Sequence, residues 1–116
     1  MVWYQTKRRN KFNNRSSIYN GQYYHSIKEA DYAQELDLRV KAKDIRSWRR
    51  QIPFELKVNG FKICKYIVDF EITHNNGDIE LIEVKGFETD LWRFKRRLLE
   101  ATHLTENPEI IYTVVK

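Results

Sequence analysis

The sequence predicts an α/β fold in which helices flank a mixed central sheet. Two observations carry this prediction. Helix and strand patterns follow one another along a chain of 116 residues, which is enough for one domain. In addition, the stretch from Asp69 to Lys85 has the pattern strand, tight turn, strand.

The first half of the chain predicts a helix and a hairpin. Ser26-Ile27-Lys28-Glu29 matches a capping box and begins a helix that runs to about Lys43. Residues 51–58 alternate between polar and apolar and predict a strand. Asn59-Gly60 is a strong hairpin pattern, and it joins this strand to one that begins at Phe61 and continues through Asp69.

The second half predicts a helix and a last strand. The helix runs from about Asp90 to Thr102, with Thr89 or Asp90 as its cap. Asn107-Pro108 breaks the chain, and Ile110–Val115 forms the final strand. The predicted order is therefore α-β-β-β-α-β.

The net charge of +5 comes from the first 25 residues, because the rest of the chain carries equal numbers of basic and acidic residues. The cations of this arm are Lys7, Arg8, Arg9, Lys11 and Arg15, and the aromatic residues Trp3, Tyr4, Phe12 and Tyr19 are interspersed among them. Such an arm can neutralise phosphates and stack on bases, or it can be a solvated tail. We expect a basic, partly irregular arm over residues 1–20 and a single folded domain over residues 21–116.

Composition argues against several classes of protein. No apolar run approaches the roughly 20 residues of a membrane helix, and the start of the chain lacks the order of a signal peptide. The single cysteine, Cys64, excludes an internal disulfide and a cysteine-rich zinc site. We expect a cytoplasmic protein that does not enter a membrane.

Charged residues interrupt the apolar faces of the Asp69–Lys85 hairpin. In its second arm one face carries Ile79, Leu81, Glu83 and Lys85, so that it ends in a carboxylate and an ammonium. In its first arm one apolar face carries Tyr66, Val68, Phe70 and Ile72, and Asp69 lies on the opposite face.

The turn decides whether these charges meet. A two-residue loop at Asn76-Gly77 would place Asp69 opposite Val84, whereas a three-residue loop with a left-handed Gly77 would place it opposite Glu83. We favour the second register. Two carboxylates that close repel each other, and a divalent cation between them would remove the conflict. The alternative is a salt-bridge cluster that includes Lys85.

The first helix offers a further carboxylate. Glu29 begins an apolar stripe that continues through Ala33, Leu36 and Val40, so that its side chain points toward the sheet. Its role is either to cap the helix or to join Asp69 and Glu83.

The second helix is basic and follows the Glu83-Val84-Lys85 strand directly. Its cations are Arg93, Lys95, Arg96 and Arg97, while Leu91, Phe94, Leu98 and Ala101 are expected to pack inward. A charge run is usually a solvated face, but beside a candidate cation site it favours phosphate binding.

Together these motifs resemble the PD-(D/E)xK nuclease superfamily, with Val68-Asp69 followed by Glu83-Val84-Lys85. The chain is similar to phage endonucleases that resolve branched DNA, through Tyr24 to Glu29, Tyr66 to Phe70 and Ile82 to Gly86. It also looks like a phage and prophage family of unknown function regarded as Holliday junction resolvases. Val68 stands where the superfamily usually has proline.

The resemblance implies a restriction-endonuclease-like core. It implies that Glu29, Asp69 and Glu83 bind metal, that the Val84 carbonyl is a further ligand, and that Lys85 is the catalytic lysine. Mg²⁺ is the expected ion, with Mn²⁺ as a substitute, because such sites need only two or three carboxylates.

The leading functional prediction is thus a metal-dependent DNA endonuclease acting on branched DNA such as Holliday junctions, as a homodimer. Substrate and dimer come from the resemblance. Two alternatives stay open: a non-cleaving nucleic-acid-binding module on the same scaffold, and a nicking or site-specific nuclease of linear DNA.

Overall fold

The computed structural model describes residues 17–116, in which a four-stranded sheet carries apolar clusters on both faces. The elements are β1 (Ser17–Tyr19), β2 (Gln22–Tyr24), α1 (Ile27–Lys41), β3 (Ser47–Val58), β4 (Phe61–Thr73), β5 (Ile79–Val84), α2 (Asp90–Ala101), α3 (His103–Glu106) and β6 (Ile111–Val115). The sheet order is β3-β4-β5-β6. The first three strands are antiparallel neighbours and β6 runs parallel to β5, so the mixed α/β sheet is confirmed.

The structure adds elements that the sequence did not predict. β1 and β2 form a small hairpin, and its Asn20-Gly21 turn has φ angles of 52° and 78°. This hairpin crosses residue 20, where the arm was expected to end. Arg50 holds it against the sheet, because its guanidinium lies 4.0 Å from the Tyr24 ring centroid and donates to the Tyr23 carbonyl at 2.9 Å.

Two further boundaries differ from the prediction. β3 begins at Ser47 rather than at residue 51, and the short α3 follows α2. Both predicted helices are present, and their caps are Ser26 and Thr89. No helix within residues 17–116 is long and apolar enough to cross a membrane.

The β4–β5 turn has the three-residue form. The N–H of His74 donates to the Asp78 carbonyl at 2.8 Å, and Gly77 has a φ of 95°. Thr73 pairs with Ile79 and Phe70 with Ile82. Continuing this register places Asp69 opposite Glu83, as predicted.

Two apolar clusters lie on opposite faces of the sheet. Under α1 the core includes Tyr24, Ala33, Leu36, Ile45, Phe70, Ile72, Ile82 and Val84. Under α2 it includes Ile52, Leu56, Tyr66, Val68, Leu81, Trp92 and Leu99. The prediction that Tyr66, Val68, Phe70 and Ile72 share one face is therefore wrong, since the alternation breaks between Val68 and Phe70.

The break has a visible origin in the ladder between β3 and β4. Pairing passes from Arg50 with Phe70 to Ile52 with Val68, so that Gln51 and Asp69 between them are skipped. Gln51 has a φ of 58°, which is uncommon for a non-glycine residue in a strand. The strand pair is locally distorted at this point, and the side chains of β4 change face there.

The inward face of α2 also differs from the prediction. Trp92 and Leu99 are its buried residues, whereas Leu91 and Phe94 are exposed by 62% and 54%. Ala101 is exposed and Leu98 is half-buried. The stripe is displaced because the Trp92 indole packs inward and donates to the Tyr66 hydroxyl at 3.0 Å.

Candidate functional site

Asp69 and Glu83 meet where β4 and β5 separate. The ladder between these strands ends at Phe70 and Ile82, one position earlier. Beyond it the Asp69 N–H donates to Glu83 Oε1 at 3.3 Å, and the Val84 N–H donates to Asp69 Oδ2 at 2.8 Å. Each carboxylate thus satisfies a backbone donor of the opposite strand, and the predicted convergence of the two side chains is confirmed.

Glu29 reaches the same point from the start of α1. Its N–H donates to Ser26 Oγ at 3.1 Å, which is one half of the predicted capping box. Its carboxylate accepts from the Ser26 hydroxyl at 3.4 Å and is in hydrogen-bonding contact with the Asp69 carboxyl group. Glu29 is only 7% exposed, so it caps the helix and joins the other two acids.

Burial, together with the charge of a neighbouring acid, raises the pKa of each of the three carboxyl groups. Burial raises the pKa of Asp69 to about 7, and the charge of Glu29 adds to the rise. Burial raises the pKa of Glu83 to about 7, with the charge of Asp69 as the next cause. Burial also raises the pKa of Glu29. The three acids are therefore crowded at one point, where their charged forms are disfavoured.

Lys85 is the ammonium nearest to these acids. Its Nζ lies 3.8 Å from Glu83 Oε2 and 5.3 Å from the centroid of the Trp92 ring. The backbone N–H of Lys85 donates to the Val115 carbonyl at 2.8 Å, which anchors the end of β5 to β6. The charge of Lys85 lowers the pKa of both Asp69 and Glu83, but burial outweighs it.

An aromatic network supports this corner. The Trp92 indole donates to the Tyr66 hydroxyl, and the hydroxyls of Tyr66 and Tyr112 are hydrogen-bonded at 3.0 Å. Burial and the charge of Glu83 raise the pKa of Tyr66. Trp92 also lowers the pKa of Glu83, although burial outweighs this effect. The network therefore holds Glu83 and Lys85 in place from the α2 side.

All four predicted catalytic residues line one open pocket of about 540 Å³, together with the predicted ligand Val84. Three more lysines, Lys28, Lys65 and Lys95, line it from α1, β4 and α2. These walls would present positive charge to an anionic ligand that enters the pocket.

The four predicted cations of α2 do not act as one group. Lys95 lines the pocket. Arg93 pairs with Glu88 at 3.3 Å and with Asp90 at 3.2 Å. Arg96 pairs with Glu100 at 3.5 Å, and its guanidinium lies 5.6 Å from the Trp92 ring centroid. Arg97 is exposed. Within the described helix, Lys95 is therefore the cation best placed to reach a bound phosphate.

The chain matches one protein-family model over most of its length. The family model described as "Protein of unknown function (DUF1064)" matches residues 9–116, which is most of the chain. The chain belongs to the DUF1064 family. No curated protein and no solved structure matches it. The description of this family names no activity.

The DUF1064 chain has no ready-made metal cage of three histidine, cysteine, aspartate or glutamate side chains within residues 17–116. Mg²⁺ does not require one, because it keeps several waters and uses one or two carboxylates. The donor set of Asp69, Glu83 and the Val84 carbonyl is all oxygen, which suits a hard cation.

Sequence reasoning missed several residues of this site. Gln51, Lys28, Lys65 and Trp92 all line the pocket. Lys28 lies inside the capping motif, so the sequence alone places it at the start of the helix. The other three could not be placed, because their position depends on the distortion of β4 and on the rotation of α2. The predicted nucleic-acid-binding cations of the arm lie outside the described residues.

Proposed function

We propose that the protein is a divalent-metal-dependent endonuclease that hydrolyses phosphodiester bonds in branched DNA, such as a Holliday junction. The observation that carries this proposal is the meeting of Glu29, Asp69 and Glu83 beside Lys85 in one open pocket. The order α1-β3-β4-β5-α2-β6 around the pocket supports the restriction-endonuclease-like core that the sequence resembles.

Asp69, Glu83 and the Val84 carbonyl would hold Mg²⁺, with Mn²⁺ as a substitute and Glu29 beside them. The raised pKa values support this fit, because a cation would replace the proton that the crowded acids otherwise retain. When bound, the ion lowers the pKa of a bound water and offsets charge on the scissile phosphate.

The remaining residues have separable roles. Lys85 offsets the charge that develops on the phosphate or orients the attacking water, and its ammonium is held by Glu83 and Trp92. Lys28, Lys65 and Lys95 bind phosphates on either side of the scissile bond. Paired cuts across a junction need two active sites, and we therefore propose a homodimer.

The test compares cleavage of a four-way junction, a flap, a linear duplex and a single strand in Mg²⁺. We expect the junction to be cut, and Asp69→Asn or Glu83→Gln to abolish cutting while DNA binding is kept or tightened. The reason is that each change removes a proposed ligand and also a charge that repels phosphate. Lys85→Ala should bind DNA and lose a factor on the order of 10² or more in rate.

Glu35→Gln is the matched control, because Glu35 is an exposed acid of α1 outside the pocket. Cleavage at the parent rate by either site variant would refute the proposed site. Binding of every DNA without any cleavage would favour a non-cleaving module. Preferential cutting of the linear duplex would favour a nicking nuclease.

A further inference from the structure

The hairpin of β3 and β4 extends beyond the rest of the sheet. β4 has 13 residues, but it pairs with β5 only from Phe70 to Thr73. Its residues from Phe61 to Val68 pair with β3 alone. This two-stranded ribbon ends in the Asn59-Gly60 turn. We call residues 57–63 the hairpin tip.

One face of the ribbon leads from the candidate site to the tip. Ile67 and Lys65 lie on the pocket wall. The ladder then shifts register between Leu56 and Lys57, so the same face continues to Lys62 and Lys57, while Phe61 and Val58 lie on the opposite face. Ile67 is exposed by 43%, and Phe61 at the tip of the opposite face is exposed by 73%. Val58, the partner of Phe61 across the hairpin, is 41% exposed. The face that carries Lys65, Lys62 and Lys57 is therefore continuous with the pocket.

The tip also carries an unfavourable arrangement of charge. Lys57 is paired directly opposite Lys62. Both ammonium groups turn to Glu55, at 4.0 Å and 3.4 Å. Like charges directly opposite in a sheet are destabilising. A single carboxylate shared between two lysines leaves an excess of positive charge at the tip, which points to an anionic partner.

We propose that the hairpin tip binds the backbone and groove of a duplex DNA arm whose scissile phosphate lies in the pocket. This proposal rests on the proposed nuclease function. Phe61 is eight residues from Asp69 in β4. That separation corresponds to roughly 27 Å along a strand, or about eight base pairs of B-DNA. A two-stranded ribbon fits the major groove.

Charge decides between DNA and a second copy of the chain. Two ribbons packed through this face would bring Lys65 of both copies together and the two tip lysine pairs close by. A DNA arm instead offers phosphates to Lys57 and Lys62, while Phe61, at the tip of the other face, contacts sugars or an unstacked base.

The test uses the full chain carrying Asp69→Asn, so that DNA is bound without being cut. Binding is measured by fluorescence anisotropy on junctions with arms of about 5 and about 20 base pairs. We expect Phe61→Ala to weaken binding to long arms on the order of tenfold and to leave short arms unaffected. The double change Lys57→Thr and Lys62→Thr should lower the salt slope for long arms by about 1.8.

Matched controls lie on α1 away from the ribbon: Leu38→Ala for the exposed apolar residue and Lys41→Ala for an exposed lysine. A folding control is built into the design, since Lys62→Thr removes a like-charge pair and should not lower the melting temperature. A variant that keeps its stability and loses long-arm affinity supports the proposal.

Three outcomes would overturn it. If the tip variants bind long arms as tightly as the parent chain does, the proposed role of the hairpin tip is refuted. The nuclease proposal would be unaffected by that result. Loss of a dimer on Phe61→Ala, seen by sedimentation, with unchanged arm-length dependence would assign the face to a second copy. A parent chain that neither cuts nor binds any DNA would refute the nuclease proposal and the tip with it.

Discussion

At the residue scale, Asp69 and Glu83 do two jobs at once. Each accepts a backbone N–H from the opposite strand, and each places a carboxyl group where burial disfavours its charged form. These hydrogen bonds stabilise the point where β4 and β5 separate. Ionisation of the two acids destabilises it, because burial and mutual repulsion disfavour their charged forms.

The metal-free protein should lose stability as pH rises. The folded-state pKa values of Asp69 and Glu83 are about 7, above their ordinary values of 3.8 and 4.5. Between about pH 4 and about pH 7 the folded state therefore retains protons that the unfolded chain has released, so stability falls across this window and levels off above it. Calorimetry in a chelator across this range measures the effect.

Asp69→Asn should reverse part of this loss. The amide keeps an oxygen acceptor for the Val84 N–H and removes the charge. A gain of about 1 kcal/mol raises the melting temperature of a domain of this size by about 4 °C, and we expect at least that at about pH 8 without metal. Glu35→Gln should leave the melting curve unchanged. A lower melting temperature for Asp69→Asn would show that the acids are not in conflict.

At the scale of elements, the distortion of β3 and β4 at Gln51 and Asp69 is what opens the site. Pairing resumes in the same register on both sides, so one residue of each strand is released from the ladder. The release leaves the Asp69 N–H free to bind Glu83, and it moves the following side chains of β4 to the other face.

Gln51 can be tested through its backbone. Gln51→Gly accepts a φ of 58° without strain, whereas Gln51→Val disfavours it by about 1 to 3 kcal/mol because its side chain is β-branched. We expect the valine variant to have the lower melting temperature and the slower cleavage of the two. Equal melting temperatures would mean that the positive φ does not constrain this position.

Helix α2 supplies the second test at this scale. Lys95 lines the pocket and Arg97 does not. Lys95→Ala should therefore lower the single-turnover rate at saturating DNA, while Arg97→Ala should change it little. Replacing Arg96 is less informative, because its stacking on Trp92 and its contact with Tyr112 would be lost as well. A slower Arg97→Ala than Lys95→Ala would contradict the placement of α2.

At the scale of the whole molecule, charge is divided unevenly along the chain. Residues 26–116 hold equal numbers of basic and acidic residues, and the excess lies in the first 25. On the proposed function, the folded domain would position DNA through lysines placed at the pocket and at the hairpin tip. The arm supplies the net charge.

Deleting residues 1–15 removes five cations and none of the pocket residues. If each cation meets a phosphate, the salt slope of duplex binding should fall by about 4 to 5 at roughly 0.9 per contact, and by less if the contacts are fewer. Residual cutting should remain. An unchanged salt slope would make the arm a solubilising tail.

The sequence by itself determined the elements that local chemistry controls. The cap at Ser26, the turn at Gly77 and the register that pairs Asp69 with Glu83 all follow from a few neighbouring residues. Turn and cap preferences act over two to five residues, so they are visible in the chain. These features were enough to bring the proposed catalytic acids together.

Tertiary structure decided what depends on distant partners. The Trp92 indole packs inward and is hydrogen-bonded to Tyr66 of β4. With Trp92 on the inner face of α2, Leu91 and Phe94 face outward. The change of face at Asp69 depends on Gln51 across the hairpin. Lys65 reaches the pocket wall by way of that distortion. The alternation of apolar and polar residues predicts which side chains share a face only where strands and helices are regular. Burial of one large side chain, or one residue with a strained backbone, can change the face.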